Sequence, residues 1–161
     1  MSAAADNFPR WTIPKRERLD GQTNLHISAF NLVRKSVKDP NSVLFVKAGP
    51  KFPVSFKREK WLLPAAIMDF GEKPREVAKR VLDEQLTNVD YLIPNYLSMQ
   101  SYFGAHWDIV FIFESMLDGS KITPAPKEPF IGVTFHNLDS LPKHEIAEDH
   151  LEVLEELKEE P

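Results

Sequence analysis

The stretch Trp61-Leu62-Leu63-Pro64-Ala65-Ala66-Ile67-Met68-Asp69-Phe70-Gly71-Glu72, with the run that follows to Thr87, restricts the fold more than any other part of the chain. Trp61-Leu62-Leu63 reads as the end of an apolar strand, cut off by Pro64, and Gly71 closes a compact turn. Glu72 and Pro74 open a helix, because a carboxylate favours a helix N-terminus and proline is tolerated in the first turn. No glycine or further proline interrupts Pro74 to Leu86, and Val77, Ala78, Val81, Leu82 and Leu86 recur at helical spacing. Glu72, Glu76, Arg80 and Glu84 are each four apart and form one line of alternating charge on the helix surface. A salt-bridged amphipathic helix explains the second half of this stretch. It does not explain why a strand, a small-residue turn and an acidic helix start occur in this order.

The 161 residues favour one domain with a core that needs no staple. With no cysteine, disulfides, thiolate zinc sites and cysteine nucleophiles are excluded. No apolar run approaches the roughly 18 residues of a membrane span, and the N-terminus lacks a basic segment leading into an apolar one. The expectation is a cytoplasmic protein with no membrane association. The net charge of −4 hides a gradient: residues 1–60 carry 12 lysines and arginines against 5 acids, residues 61–142 carry 6 against 11, and residues 143–161 carry 2 against 8. The basic first third would attract a polyanion, or pair with the acidic tail. Pairing is the preferred reading, since no nucleic-acid-binding motif accompanies the basic residues, and nucleic acid is not the expected partner.

In chain order, residues 1–22 read as an extended N-terminal arm with Phe8 and Trp11 docked on the body. Residues 23–158 read as the domain, and residues 159–161 as a disordered tail. Leu25, Ile27 and Ala29 alternate as in a strand. Asp39-Pro40-Asn41-Ser42 is a turn, and Val43-Leu44-Phe45-Val46 reads as a central strand. Residues 50–60 form a basic connector. A strand is expected within Val89–Met99, another over His106–Phe113 and another over Phe130–Phe135. The prolines within Ile122–Lys127 argue for exposed loop. From Lys143, Ile146, Leu151, Leu154 and Leu157 predict a terminal helix with one apolar stripe. This order implies α+β, or an α/β/α sandwich with a mixed β-sheet.

The central stretch, with Arg80-Val81-Leu82-Asp83-Glu84-Gln85, resembles the signature of the Nudix hydrolase family. That signature runs Gly-x5-Glu-x7-Arg-Glu-U-x-Glu-Glu-x-Gly-U, where U is bulky and aliphatic. The later Glu128-x6-Phe135-x2-Leu138-x2-Leu141-Pro142 is similar to a common strand, loop and helix entrance of the same family. The resemblance covers about residues 23–158 and implies a Nudix-like α/β/α sandwich. Residue by residue, Ala66 stands at the signature glycine and Ala65 at the glycine usual before it. Glu72 matches the first glutamate, and Arg80 matches the arginine that orients loop and carboxylates. Val81 stands where active members have glutamate. Leu82 keeps the aliphatic position, Glu84 matches the first of the glutamate pair, and Gln85 replaces the second. Thr87 and Asn88 replace the closing glycine and aliphatic residue.

At about 100° per residue, positions 77, 81, 84 and 85 share one side of the helix. A carboxylate cluster there would hold Mg²⁺, which takes oxygen ligands, activates water and neutralises a transferring phosphoryl group. Here Val81 has no donor and Gln85 offers only a neutral amide. The resemblance implies catalytic positions at Glu72, Arg80 and Glu84, with Glu128 and Glu114 as weaker candidates. Glu84 and Glu72 remain as a weak Mg²⁺ or Mn²⁺ site in an active protein; otherwise no cofactor is expected. One reading is a Nudix-fold protein that has lost hydrolysis, and binds a nucleotide or diphosphate-containing small molecule or acts as an interaction module through an apolar patch at Val77 and Val81. Another is a divergent Mg²⁺-dependent hydrolase of a nucleoside diphosphate linked to another group, using Glu72, Glu84, Glu128 and one of Glu114 or Asp69. A third is an unrelated α+β domain. A homodimer or a protein partner fits the first reading. The five histidines form no zinc-spaced pair, His106-Trp107-Asp108 reads as a packed strand edge, and Tyr96, Tyr102 and Phe103 read as half-exposed packing.

Overall fold

In the computed structural model, the described residues are 25–103, 107–117 and 123–159. The expected arm at 1–22, His106, and residues 160 and 161 of the expected tail lie outside them. Strand β1 spans Leu25–Arg34, β2 Ser42–Ala48, β3 Trp61–Leu62 and β4 Ala65–Ile67. Helix α1 spans Pro74–Gln85, followed by β5 Asn95–Phe103, β6 Trp107–Met116, β7 Phe130–Asn137 and α2 Glu148–Glu159. The strands form one mixed sheet in the order β3-β2-β1-β6-β5, with β7 on β2 and β4 on β1.

The sheet is mixed because β1 and β6 run parallel over their whole length, from Leu25 opposite Trp107 to Arg34 opposite Met116. On its other edge, β1 pairs antiparallel with β2 only at Arg34 and Val43. Beyond that point the two strands diverge, and residues 61–67 fill the opening. Trp61 and Leu62 pair with Lys47 and Val46 of β2, while Ala65, Ala66 and Ile67 pair with Phe30, Ala29 and Ser28 of β1. The chain therefore changes partner strand at Leu63-Pro64. The carbonyl of Pro64 accepts from the N–H of Asn31 at 2.9 Å. Leu63 is buried at this crossing, and its N–H donates to Nδ1 of His150 at 3.0 Å.

Alternation along the strands sends two sets of side chains to opposite faces. Ala29 of β1 and Phe113 of β6 pack with Val77 and Ala78 of α1, and Val33, Leu44 and Val46 pack with Leu82 and Leu86. On the other face, Phe30, Leu32, Val43, Phe45, Val110 and Ile112 meet Val153 and Leu154 of α2. The result is an α/β/α sandwich. Asn31 interrupts the apolar face towards α1, yet is fully buried and paired: Nδ2 donates to the carbonyl of Ala78 at 3.1 Å, and Oδ1 accepts from the Ser115 hydroxyl at 2.9 Å. One side chain thus joins α1, β1 and β6.

Several boundaries differ from the sequence reading. Strand β5 begins after Pro94, which has no N–H to give a ladder, and runs to Phe103. The terminal helix begins at Glu148, after a 3₁₀ turn at Lys143–Glu145. Ile146 instead bridges to Trp61, so the buried face of α2 is His150, Val153 and Leu154. The helix continues through Glu159. The proline loop is only partly exposed: Pro124 is buried, and Pro126 bridges to Leu86. Basic connector and acidic helix meet at Lys57 and Asp149, 2.8 Å apart.

His150 accepts a hydrogen bond at Nδ1 and is therefore neutral. Burial pushes its pKa down to about 4, against the field of Asp149 and with that of Lys57. A histidine with a depressed folded pKa binds its proton first in the unfolded chain, so folding stability falls as pH drops from about 6.5 to about 4. In chemical denaturation, this group should remove at most about 1.4 kcal/mol per pH unit in that window. His150→Gln should flatten that part of the profile.

Candidate functional site

The candidate site is built on the loop between β4 and α1. Gly71 adopts φ +90°, a conformation that side chains disfavour, and the N–H of Glu72 closes the turn on the carbonyl of Asp69 at 3.1 Å. The Glu72 carboxylate reaches back to accept from the N–H of Asp69 at 2.7 Å. Lys73 is the N-cap of α1, and Glu76 accepts from its N–H at 3.2 Å.

Arg80, one face of the helix away, binds this loop from below. Its Nε donates to Glu72 Oε2 at 2.8 Å, and one terminal nitrogen to Glu72 Oε1 at 2.8 Å. That same nitrogen donates to the carbonyl of Ile67 at 3.0 Å, while the other donates to Glu84 Oε1 at 2.9 Å. Asp69 lies 3.9 Å from the guanidinium. Such a fork needs the planar guanidinium; an ammonium cannot reproduce it. The hydrogen bond from Arg80, with the Asp69 amide, holds the Glu72 carboxyl below the usual carboxylate range. Glu72 and then Glu84 raise the guanidinium further above its ordinary value.

The structure thus brings Glu72, Arg80, Glu84 and Asp69 together. It separates them from Glu114, which faces α2 across the sheet and is bound by Arg34 Nε at 2.8 Å. The sequence pattern places Glu114 near a strand end, but not on which face. Glu128 is exposed and follows Lys127, whose N–H donates to the Gln85 carbonyl at 2.9 Å. It therefore sits beyond the C-terminal end of α1.

The two substituted positions are built into the interior. Val77 and Val81 have 0% exposure, which overturns the expected interaction patch at these residues: of the side that carries ligands in the signature, Val77, Val81 and Gln85 are packed inside, while Glu84 stays exposed. Gln85 is buried as well. Its Nε2 donates to the carbonyl of Ala65 at 3.2 Å, and its Oε1 is sealed from solvent with no partner among the described residues. Sequence reasoning identified Gln85 as a lost ligand and missed its link between α1 and β4; its place on the buried stripe with Val81 was the available signal.

A Mg²⁺ or Mn²⁺ ion does not fit this donor set. It needs several oxygen donors open to one point. Val81 offers none, the Gln85 oxygen is sealed, and Glu72 and Glu84 are both held by Arg80. Among the described residues, no three histidine or acidic side chains are grouped to hold a metal. Arg80 fixes the turn to the helix.

The sequence matches no protein-family profile and no curated protein. The structure is similar to the MutT protein of Methanosarcina mazei Go1, with a TM-score of 0.67 at 15% identity over 86% of this chain and 96% of that one. It is also similar to the Nudix hydrolase RenU of M. smegmatis, with 0.64 at 16% identity over 83% and 84%. A C. elegans Ap4A hydrolase gives 0.60 at 16% identity over 83% and 93%. This likeness establishes the fold: the chain is a Nudix-fold protein with a degenerate signature.

Loss of the Arg80 fork should loosen the turn before it unfolds the sandwich. Arg80→Ala is expected to cost about 1–3 kcal/mol, the range for charge-assisted hydrogen bonds discounted for partial exposure, with Arg80→Lys recovering little of it. Amide exchange at Asp69 should accelerate more than at core positions of β1. Val81→Glu places a carboxylate where no solvent reaches and should lower the melting temperature more than Glu84→Gln.

Proposed function

We propose that this protein binds rather than cleaves: a Nudix-fold protein without metal-dependent diphosphate hydrolysis, which holds a nucleotide or diphosphate-containing small molecule. The observation that carries the first half is the interior packing of Val81 and Gln85, at the two helix positions where active members carry carboxylates. A lost ligand left open to solvent would leave a defective metal site. Here one position has joined the core, and the other is hydrogen-bonded to a strand. The acids that remain, Glu72 and Glu84, serve Arg80. The ligand class is inferred from the fold alone, since related structures include an Ap4A hydrolase complex. No described helix is long and apolar enough to cross a membrane.

Calorimetric titration with Mg²⁺ and Mn²⁺ should show no specific uptake. A panel of nucleotide sugars, dinucleoside polyphosphates, ADP-ribose and nucleoside triphosphates should release no phosphate products with either ion. In the presence of a chelator, a binder from the same panel should raise the melting temperature with concentration, because a ligand selective for the folded state stabilises it by mass action. Robust Mg²⁺-dependent turnover abolished by Glu84→Gln would sink the proposal in favour of a divergent hydrolase.

A further inference from the structure

The basic connector and the acidic helix α2 neutralise each other only in part. Residues 50–60 carry Lys51, Lys57, Arg58 and Lys60 against Glu59. Among the described residues, Lys57 alone of these cations meets a carboxylate, that of Asp149 at 2.8 Å. Arg58 and Lys60 donate to main-chain carbonyls instead, those of Phe52 at 2.6 Å and His144 at 2.7 Å. A carbonyl engages one N–H and leaves the positive charge unmatched, and the ammonium of Lys60 has further donors to give.

Where the connector meets the turn that leads into α2, the two enclose a groove of about 310 Å³. Its apolar side is made by Phe56, Ile146, Ala147 and Leu151. Phe56 is 75% exposed, on a 3₁₀ turn that buries no residue, so core packing does not account for an aromatic ring there. Its polar side is made by Lys60, Lys143 and His144, with Glu148 as the acid of the lining. Lys143 lies 3.5 Å from Glu155 in an exposed pair, a contact weak enough to yield to another anion. The two walls are tied together. Lys60 reaches the His144 carbonyl, the N–H of Ala147 donates to the Trp61 carbonyl at 3.0 Å, and Ile146 bridges to Trp61. The groove is therefore formed before anything enters it, as small-molecule sites usually are.

We propose that this groove binds a small monoanion with an apolar body, an aryl or short acyl carboxylate. The volume stands at the lower end of the roughly 300–1,000 Å³ of ligand sites, which suits a small molecule. Two lysines against one glutamate favour a single negative charge. A polyanion would run on towards Glu152, Glu155 and Glu156 of α2 and be repelled. The apolar side gains from burial only when the ligand brings apolar surface of its own. The groove lies on the α2 side of the sheet, across it from the Arg80 turn. The proposal goes beyond the nucleotide-binding reading and holds whether or not a nucleotide binds.

Amide NMR titration of the full chain tests it, with benzoate and hexanoate as probes and benzyl alcohol, hexanol and inorganic phosphate as controls. Benzoate or hexanoate should shift the amides of Phe56, Lys60 and residues 144–151 saturably, with a Kd on the order of 1 mM for so few atoms. Added salt should weaken this binding, because the charges at the groove are open to screening. The alcohols lack the charge and phosphate lacks the body, so each should bind several-fold more weakly. Lys143→Gln with Phe56→Ala should weaken binding about tenfold, and should leave the rest of the spectrum unchanged because both side chains are exposed. Lys51→Gln, in the connector but outside the groove, should have no effect. No saturable shift, shifts centred on another surface, alcohols or phosphate binding as well as the carboxylates, or indifference to the paired substitution would each overturn the proposal.

Discussion

A chain that leaves one strand to join another must carry a backbone amide through the crossing with no ladder to receive it. In this protein that amide belongs to Leu63, and the imidazole of His150 accepts it. The contact connects the parting of β1 and β2, the strand pair β3–β4 that fills the gap, and helix α2 on the far face. An unpaired buried N–H costs about 1–3 kcal/mol, so the crossing would be a weak point without the histidine. Everything that follows along the chain, including the turn and helix α1, begins from the position this crossing sets.

From there, Arg80 holds the turn. Its fork spans Glu72, Glu84 and the Ile67 carbonyl. The most legible features of the signature, Glu72, Arg80 and Glu84, are thus joined to one another in a single hydrogen-bonded group. Asn31 fastens the other side of the helix to β1 and β6. Both ties are polar, and both find their partners within the fold, as buried or half-buried polar groups must.

The strand-turn-helix and the two-faced strands could be read from the sequence because apolar spacing and proline placement are local. The sandwich followed from their order together with the family resemblance. What could not be read depends on which distant residues face one another. Glu114 is an acid at the end of an apolar strand, and one residue of register decides whether it faces α1 or Arg34. His150 looked like one of several scattered histidines, because its partner is a main-chain N–H far away in sequence. Gln85 was legible as a substitution but not as a hydrogen-bond donor to Ala65. Tyr96 and Phe103 read as half-exposed packing, and at 55% and 77% exposure they lie further out than that, because β5 stands at the margin of the sheet.

The amide of Gln85 against the Ala65 carbonyl carries one more consequence. A helix that displays several glutamates at one point suffers their mutual repulsion until a cation arrives, so part of its order depends on the ion supply. With valine and glutamine in two of those places, and arginine between the two acids that remain, the cluster is neutralised from within. The charge of the two remaining acids is met by Arg80 from within the chain, so the turn they hold is closed by a side chain where a cation would otherwise be called for.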